Sequence, residues 1–182
     1  MPPTPTVLVL GVQAGSHRHG LHARPSEAQG LHSVLVHTLH NAMASGLPVL
    51  AVTRPELAEE AGRWVARRDV LVVDPPTEDA DGTTTFLAAG VAARATADGW
   101  LMLPADMPMV GPALLLAVAG ALQHHAVACA SHRGHRGHPV GFGTELFSEL
   151  VQLRGPGAAR RLLIRYPSAS ISVDDPAVLG RH

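Results

Sequence analysis

The stretch Gly99-Trp-Leu-Met-Leu-Pro-Ala-Asp-Met-Pro-Met-Val110 is an apolar run that ends in a single carboxylate, Asp106. Its first part, Trp100 to Leu103, predicts a buried β-strand. A lone acid at the carboxyl end of such a strand lies where α/β proteins bind their ligands. It can hold Mg²⁺, which takes one or two protein carboxylates and completes its shell with water and substrate phosphates. The structural alternative is that Asp106 caps the helix that starts near Gly111-Pro112.

Apolar strand-like segments and helix-like segments alternate along the rest of the chain. Strands are predicted at 6–10, 49–52, 70–73, 100–103, 127–130 and 170–173, and helices at 31–44, 56–68, 86–97, 113–124, 145–153 and 158–166. Residues 77–85 and the basic, glycine-rich segment 132–137 are predicted to be loops. This alternation favours βαβ units, and hence an α/β fold with a mostly parallel sheet between two layers of helices. We expect one domain over residues 1–182.

The composition excludes several classes of protein. The chain has 182 residues and a formal net charge of −1, so it offers no bulk attraction for nucleic acid or for an acidic membrane. No apolar run is long enough for a transmembrane helix, and the start Met-Pro-Pro-Thr-Pro-Thr lacks the regions of a signal peptide. Cys129 is the single cysteine and lies in an apolar run, which predicts a buried side chain and a cytoplasmic protein.

The basic residues are unusual because all 14 are arginine and none is lysine. Chemistry that needs a lysine amine, as a Schiff base or as a compact phosphate-binding charge, is therefore excluded. The chain also lacks the G-x-S-x-G, G-x-G-x-x-G and G-x-x-x-x-G-K-[ST] patterns. Their absence argues against a serine hydrolase, a dinucleotide-binding fingerprint and a P-loop.

The segment Ala14-Gly-Ser-His-Arg-His-Gly20 follows the first predicted strand. Small residues there let the backbone approach a phosphate, and Arg18 adds a charged fork. The alternative is a glycine-rich turn kept for packing. Two groups of histidines raise the question of zinc, but neither has cysteine partners or a HExxH frame, so chance clustering is favoured. These groups are His17, His19 and His22, and His132, His135 and His138.

Taken together, these segments resemble the molybdenum cofactor nucleotidyltransferases, and most closely their cytidylyltransferase branch. The resemblance covers nearly the whole chain as one MobA-like NTP transferase domain. The segment Asp98–Pro108 is similar to the family strand that ends in G-D-x-P, and Arg133–Phe142 is similar to its R-G-H-P segment. Phe86–Gly90 resembles the S-[IL]-x-x-G helix start near the nucleotide base, and Ser172–Leu179 resembles the family tail.

The resemblance implies a fold, a reaction and a set of site residues. The fold is the three-layer, Rossmann-like fold of nucleotide-diphospho-sugar transferases. The reaction is attack of molybdopterin phosphate on the α-phosphorus of CTP, favoured over GTP, with release of pyrophosphate. Asp106 would hold Mg²⁺ and would act with Arg18 as a catalytic residue. Nucleotide-binding roles are implied for Ala14, Gly15, Ser16, Gly20, Arg24, Thr85, Gly90 and His138.

The chain also departs from the family pattern. Two residues separate Gly15 from Arg18 where the family has three, and Ala105 replaces the glycine before the aspartate. The lysine that ends the family signature is missing, and Arg24 is the nearest basic substitute. A second hypothesis is therefore a catalytically impaired relative that binds nucleotide or cofactor, or acts as a chaperone-like partner of a molybdoenzyme. A third, a small-molecule binder of an unrelated class, rests only on the generic fold.

Overall fold

The structure is a computed structural model that describes residues 4–12, 25–74 and 82–180, with the backbone alone over 25–32. Its strands are β1 (Thr6–Leu10), β2 (Val49–Thr53), β3 (Val70–Val72), β4 (Trp100–Pro104), β5 (Val127–His132), β6 (His135–Phe142) and β7 (Ala169–Ser172). Its α-helices are α1 (Pro25–Ala44), α2 (Pro55–Gly62), α3 (Thr83–Ala93), α4 (Pro112–Ala121), α5 (Phe147–Val151) and α6 (Ala158–Arg165). Short 3₁₀ helices cover Arg67–Asp69, Thr144–Leu146 and Pro176–Leu179.

The strands form a seven-stranded sheet in the order β3-β2-β1-β4-β6-β5-β7. β1 pairs in parallel with β2 and β4, β2 with β3, and β5 with β7. β6 runs antiparallel to both of its neighbours, β4 and β5. The predicted mostly parallel sheet is therefore confirmed. Because six of the strands run the same way, their carboxyl ends meet at one edge, called here the carboxyl edge.

Helices cover both faces of this sheet, as the predicted three-layer arrangement requires. Successive strand residues point to opposite faces. In β4, Leu101 and Leu103 pack in the cluster formed with α1, α2 and α4, whereas Trp100 and Met102 pack in the cluster formed with α3, α5 and α6. Cys129 of β5 is buried in the second cluster, as the sequence predicted.

The loop prediction for residues 132–137 is wrong. Residues 132–137 belong to a β-hairpin in which His132 of β5 pairs with His135 of β6 across the two-residue turn Arg133–Gly134. Both turn residues have positive φ, 49° for Arg133 and 79° for Gly134. Positive φ at both positions defines the type I′ turn, whose twist matches that of paired strands. The polar start of β6 concealed this hairpin, because it lacks the apolar alternation of a strand.

Several helix boundaries also differ from the predictions. The helix predicted at 31–44 begins at Pro25, and that predicted at 56–68 ends at Gly62, a residue that weakens helices. The helix predicted at 86–97 covers Thr83–Ala93, so the loop prediction is wrong over 83–85, and residues 77–81 lie outside the described part. β-branched threonines, which are poor helix formers, obscured this start. No described helix combines the length and apolar composition that crossing a bilayer requires.

Candidate functional site

At the carboxyl edge, the segments that follow β1 and β4 leave the sheet side by side. The N–H of Gly11 donates to the carbonyl of Val52 at 2.7 Å, and the N–H of Ala105 donates to the carbonyl of Leu10 at 2.7 Å. Strand pairing therefore continues past the ends of both strands. Asp106, the next residue, lies at the edge where ligands bind in open α/β sheets.

Asp106 lies half-buried in the turn after β4. The next helix, α4, begins six residues later at Pro112, with Gly111 as its N-cap and no side chain accepting a hydrogen bond there. Gly111, and not Asp106, is therefore the N-cap residue of α4. The interpretation of Asp106 as a carboxylate that faces a ligand stays a prediction.

Two side chains of α1 fix the backbone on either side of Asp106. The Thr38 hydroxyl donates to the carbonyl of Ala105 at 2.8 Å, and the Asn41 amide donates to the carbonyl of Pro108 at 2.7 Å. Thr38 is fully buried. Because functional side chains need rigid support, these bonds define where the carboxylate is held.

We expect Thr38→Val to lower the free energy of unfolding by about 1–2 kcal/mol, since it leaves the buried carbonyl of Ala105 without its donor. Urea denaturation measures the loss. Thr38→Ser is the matched control, because it keeps the hydroxyl and removes only a methyl group. If the serine variant loses as much stability as the valine variant, packing accounts for the effect and the hydrogen bond does not.

Arg54 and the start of α3 form a second part of the carboxyl edge. Arg54 follows β2 directly, and its guanidinium carbon lies 5.9 Å from the ring centroid of Phe86 in α3. That separation is within the range of a cation–π contact. Thr85, a predicted nucleotide-binding residue, precedes Phe86 in the first turn of α3. The sequence analysis missed Arg54, although a basic residue directly after a predicted strand is a signal for this edge.

Gly90, another predicted nucleotide-binding residue, is buried in the middle of α3. A Cβ atom at this position would lie 3.1 Å from Leu8 Cδ1 and 3.1 Å from Val52 Cγ2. Close packing of α3 on β1 and β2 therefore accounts for a glycine here. Its role in nucleotide binding stays a prediction.

His138 reaches the carboxyl edge because β6 runs antiparallel to β4. Met102 pairs with Val140, so His138 lies two residues farther toward this edge, beside the end of β4. Its Nδ1 atom is buried without a hydrogen-bond partner among the described residues. Burial lowers the pKa of His138 to about 4, and a hydrogen bond with the backbone of Met102 raises it only in part. The imidazole is therefore neutral at neutral pH.

The structure thus brings three of the predicted site residues, Asp106, Thr85 and His138, to strand or helix ends at one edge of the sheet. Gly90 lies in the middle of α3, away from these ends, and the other six lie outside the described residues: Ala14, Gly15, Ser16, Arg18, Gly20 and Arg24. Their predicted roles stay predictions.

A metal at this edge would depend on few protein ligands. Within residues 4–12, 25–74 and 82–180, no group of three or more His, Cys, Asp or Glu side chains could hold a metal ion. His132 and His135 face each other across the hairpin, whereas His138 lies three residues along β6. His17, His19 and His22 lie outside the described residues. A single carboxylate such as Asp106 suits Mg²⁺ that arrives with nucleotide phosphates, because water and phosphate oxygens supply its other ligands.

Solved structures share this fold. Rv0371c from Mycobacterium tuberculosis H37Rv is 24% identical, with a TM-score of 0.74 over 99% of this chain and 93% of that chain. A complex of Rv0371c with manganese gives a TM-score of 0.71 at 24% identity, over 96% of this chain and 90% of that chain. A nucleotidyl transferase from Methanothermobacter thermautotroptrophicus is 21% identical, with a TM-score of 0.64 over 97% of this chain and 90% of that chain. No curated protein matches the chain.

The sheet order, the three layers and the carboxyl edge define the class of nucleotide-diphospho-sugar-transferase folds. A family model described as the MobA-like NTP transferase domain matches residues 18–170. The chain therefore belongs to the family of MobA-like NTP transferase domains.

Proposed function

We propose that the protein transfers a nucleotidyl group from a nucleoside triphosphate to the phosphate of a small acceptor. CTP is the favoured donor over GTP, and molybdopterin phosphate is the acceptor that the sequence resemblance implies. The observation that carries the proposal is Asp106. It is held by Thr38 and Asn41 in a fixed turn at the carboxyl edge of a chain from this family.

This reaction depends on positioning the two substrates and on neutralising phosphate charge more than on a general base. An oxygen of the acceptor phosphate forms a bond to the α-phosphorus, the bond between the α-phosphorus and its bridging oxygen breaks, and pyrophosphate leaves with the electron pair. A phosphate monoester has its second pKa at about 6, so the attacking oxygen is already deprotonated at neutral pH. The neutral His138 is therefore not required as a proton acceptor, and it can offer a hydrogen bond to substrate.

Mg²⁺ is the proposed metal, with Asp106 as its protein ligand. Bound there, it would neutralise charge on the phosphate oxygens. The donor set fits, since one carboxylate is enough when phosphates and water complete the shell. The related Rv0371c has been solved in complex with manganese, another divalent cation.

A second candidate is a catalytically impaired relative that binds nucleotide without transferring it. The absence of lysine from all 182 residues supports this alternative. Arg24, the nearest basic substitute for the family lysine, carries the same charge. Its planar guanidinium does not reproduce the compact charge of an ammonium.

The test is a titration of the protein with CTP, GTP and ATP, each with and without Mg²⁺, followed by a pyrophosphate-release assay with molybdopterin. We expect Mg²⁺-dependent binding of CTP in preference to GTP, and pyrophosphate only when both substrates are present. Mg²⁺-dependent binding without pyrophosphate would support the impaired relative. If no nucleotide binds, both candidates are wrong.

A further inference from the structure

Arg133 has a backbone conformation that its residue type rarely adopts. It occupies the first position of the turn between β5 and β6 with φ +49°. Type I′ turns favour Asn, Asp or Gly at such a position, because longer side chains tolerate positive φ poorly. The Arg133 side chain is exposed and, among the described residues, makes no hydrogen bond or ion pair. Packing therefore does not account for an arginine here.

The hairpin that carries Arg133 is firmly held. His132 Nδ1 forms a hydrogen bond with the carbonyl of Val173 at 3.0 Å, and Arg136 donates to the carbonyl of Leu163 at 3.0 Å. A Cβ atom at Gly137 would lie 2.4 Å from the carbonyl oxygen of Val178, so the hairpin packs directly on the tail of the chain. The turn thus presents Arg133 on a rigid support, as binding residues require.

The topology places this turn at the carboxyl edge, on the side of Asp106 away from β1, the strand after which the sequence resemblance places the nucleotide. β1 and β6 lie on opposite sides of β4. We estimate the distance from the turn to Asp106 by counting from the paired residues Met102 and Val140. At 3.3 Å per strand residue and 4.8 Å between strands, the turn residues lie on the order of 10 Å from Asp106. An extended arginine side chain covers most of that distance. In phosphoryl transfer the attacking and leaving oxygens lie in line on opposite sides of the phosphorus, so we expect the acceptor on the side of Asp106 opposite the nucleotide expected after β1.

We propose that Arg133 binds the phosphate of the acceptor, a phosphate monoester, and orients it for attack on the α-phosphorus. The inference rests on the proposed nucleotidyl transfer. A guanidinium forms two parallel hydrogen bonds to phosphate oxygens, which gives both charge and orientation. The segment 131–139 adds Arg136 and three histidines and has no carboxylate, so nothing within the hairpin repels an anion.

The experiment separates binding from stability in a single variant, Arg133→Asn. Asparagine adopts positive φ more readily than arginine, so we expect this variant to unfold at the same temperature as the unmodified protein or a higher one. Inorganic phosphate is the probe, followed through the amide signals of Gly134 and His135 by NMR. We expect phosphate affinity to fall about tenfold in Arg133→Asn. It should fall less in Arg133→Lys, which keeps the positive charge but lacks the planar guanidinium that forms two parallel hydrogen bonds. Arg160→Asn, at an exposed position of α6, is the matched control and should leave the phosphate affinity unchanged.

Two outcomes would overturn the proposal. One is a clear drop in melting temperature for Arg133→Asn, which would show that the arginine stabilises the turn. The other is equal phosphate affinity in Arg133→Asn and the unmodified protein. Nucleotide binding is measured separately and without acceptor, so a failure of the proposed nucleotidyl transfer is distinguishable from a failure of Arg133.

Discussion

Replacing Asp106 with asparagine is expected to lower kcat/KM for pyrophosphate release by at least about 100-fold, the loss typical of removing one group that stabilises developing charge. Asparagine fills the same space but carries no charge, so the Mg²⁺ dependence of nucleotide binding should disappear as well. The hydrogen bonds from Thr38 and Asn41 go to the carbonyls of Ala105 and Pro108, and the substitution leaves them intact. The turn should therefore keep its shape, and the lost activity would report the lost carboxylate.

Asp98→Asn is the matched control for this experiment. Asp98 lies before the opposite end of β4, where its carboxylate accepts a hydrogen bond from the Thr4 N–H at 2.9 Å. The control removes the same charge next to the other end of the same strand, at the edge away from the candidate site, so it should keep its activity. Unchanged activity and unchanged Mg²⁺ dependence in Asp106→Asn would remove Asp106 from the reaction and contradict the proposed function.

The sequence was sufficient to predict the parallel part of the sheet. Strands such as β1 and β4 are buried on both faces and therefore form continuous apolar runs, which stand out between amphipathic helices. β6 was missed because its first half, from His135 to His138, is polar and partly exposed. Its strand conformation depends on pairing with β5 and β4, which no local pattern reveals.

The candidate site was only partly visible in the sequence. Asp106 is conspicuous because it interrupts an apolar run. Thr38 and Asn41 are not conspicuous, since each acts on a backbone carbonyl 67 residues away and leaves no motif. Arg133 could not be singled out from the sequence either, because the feature that distinguishes it is a positive φ, which the sequence does not show. Motifs thus predict the residues that meet a ligand better than those that hold them in place.

His138 makes the stability of this protein sensitive to pH. The pKa of its ring falls from 6.5 to about 4 in the folded protein, chiefly because burial disfavours the charged form. In the unfolded chain the ring takes up a proton as the pH falls through 6.5, while the folded protein still excludes it. This contribution to stability is therefore complete above pH 6.5 and is lost as the pH falls toward 4. The full loss is at most about 3 kcal/mol, at 1.36 kcal/mol per pKa unit, and the partial exposure of the residue as a whole reduces it further.

We therefore expect His138→Gln to be less sensitive to acid than the unmodified protein. The measurement is the free energy of unfolding from urea denaturation at several pH values between 7.5 and 4.5, in both proteins. As the pH is lowered from 7.5 to 4.5, the free energy of unfolding of the variant should rise relative to that of the unmodified protein by about 1–3 kcal/mol. This change is independent of what the substitution costs at neutral pH. His135→Gln controls for the loss of an imidazole from the same strand, since His135 is exposed. A difference between His138→Gln and the unmodified protein that stays constant with pH would show that His138 accepts its proton equally well in the folded and unfolded states. The buried, unpartnered Nδ1 atom argues against that result, because a proton placed there would lack both water and an acceptor.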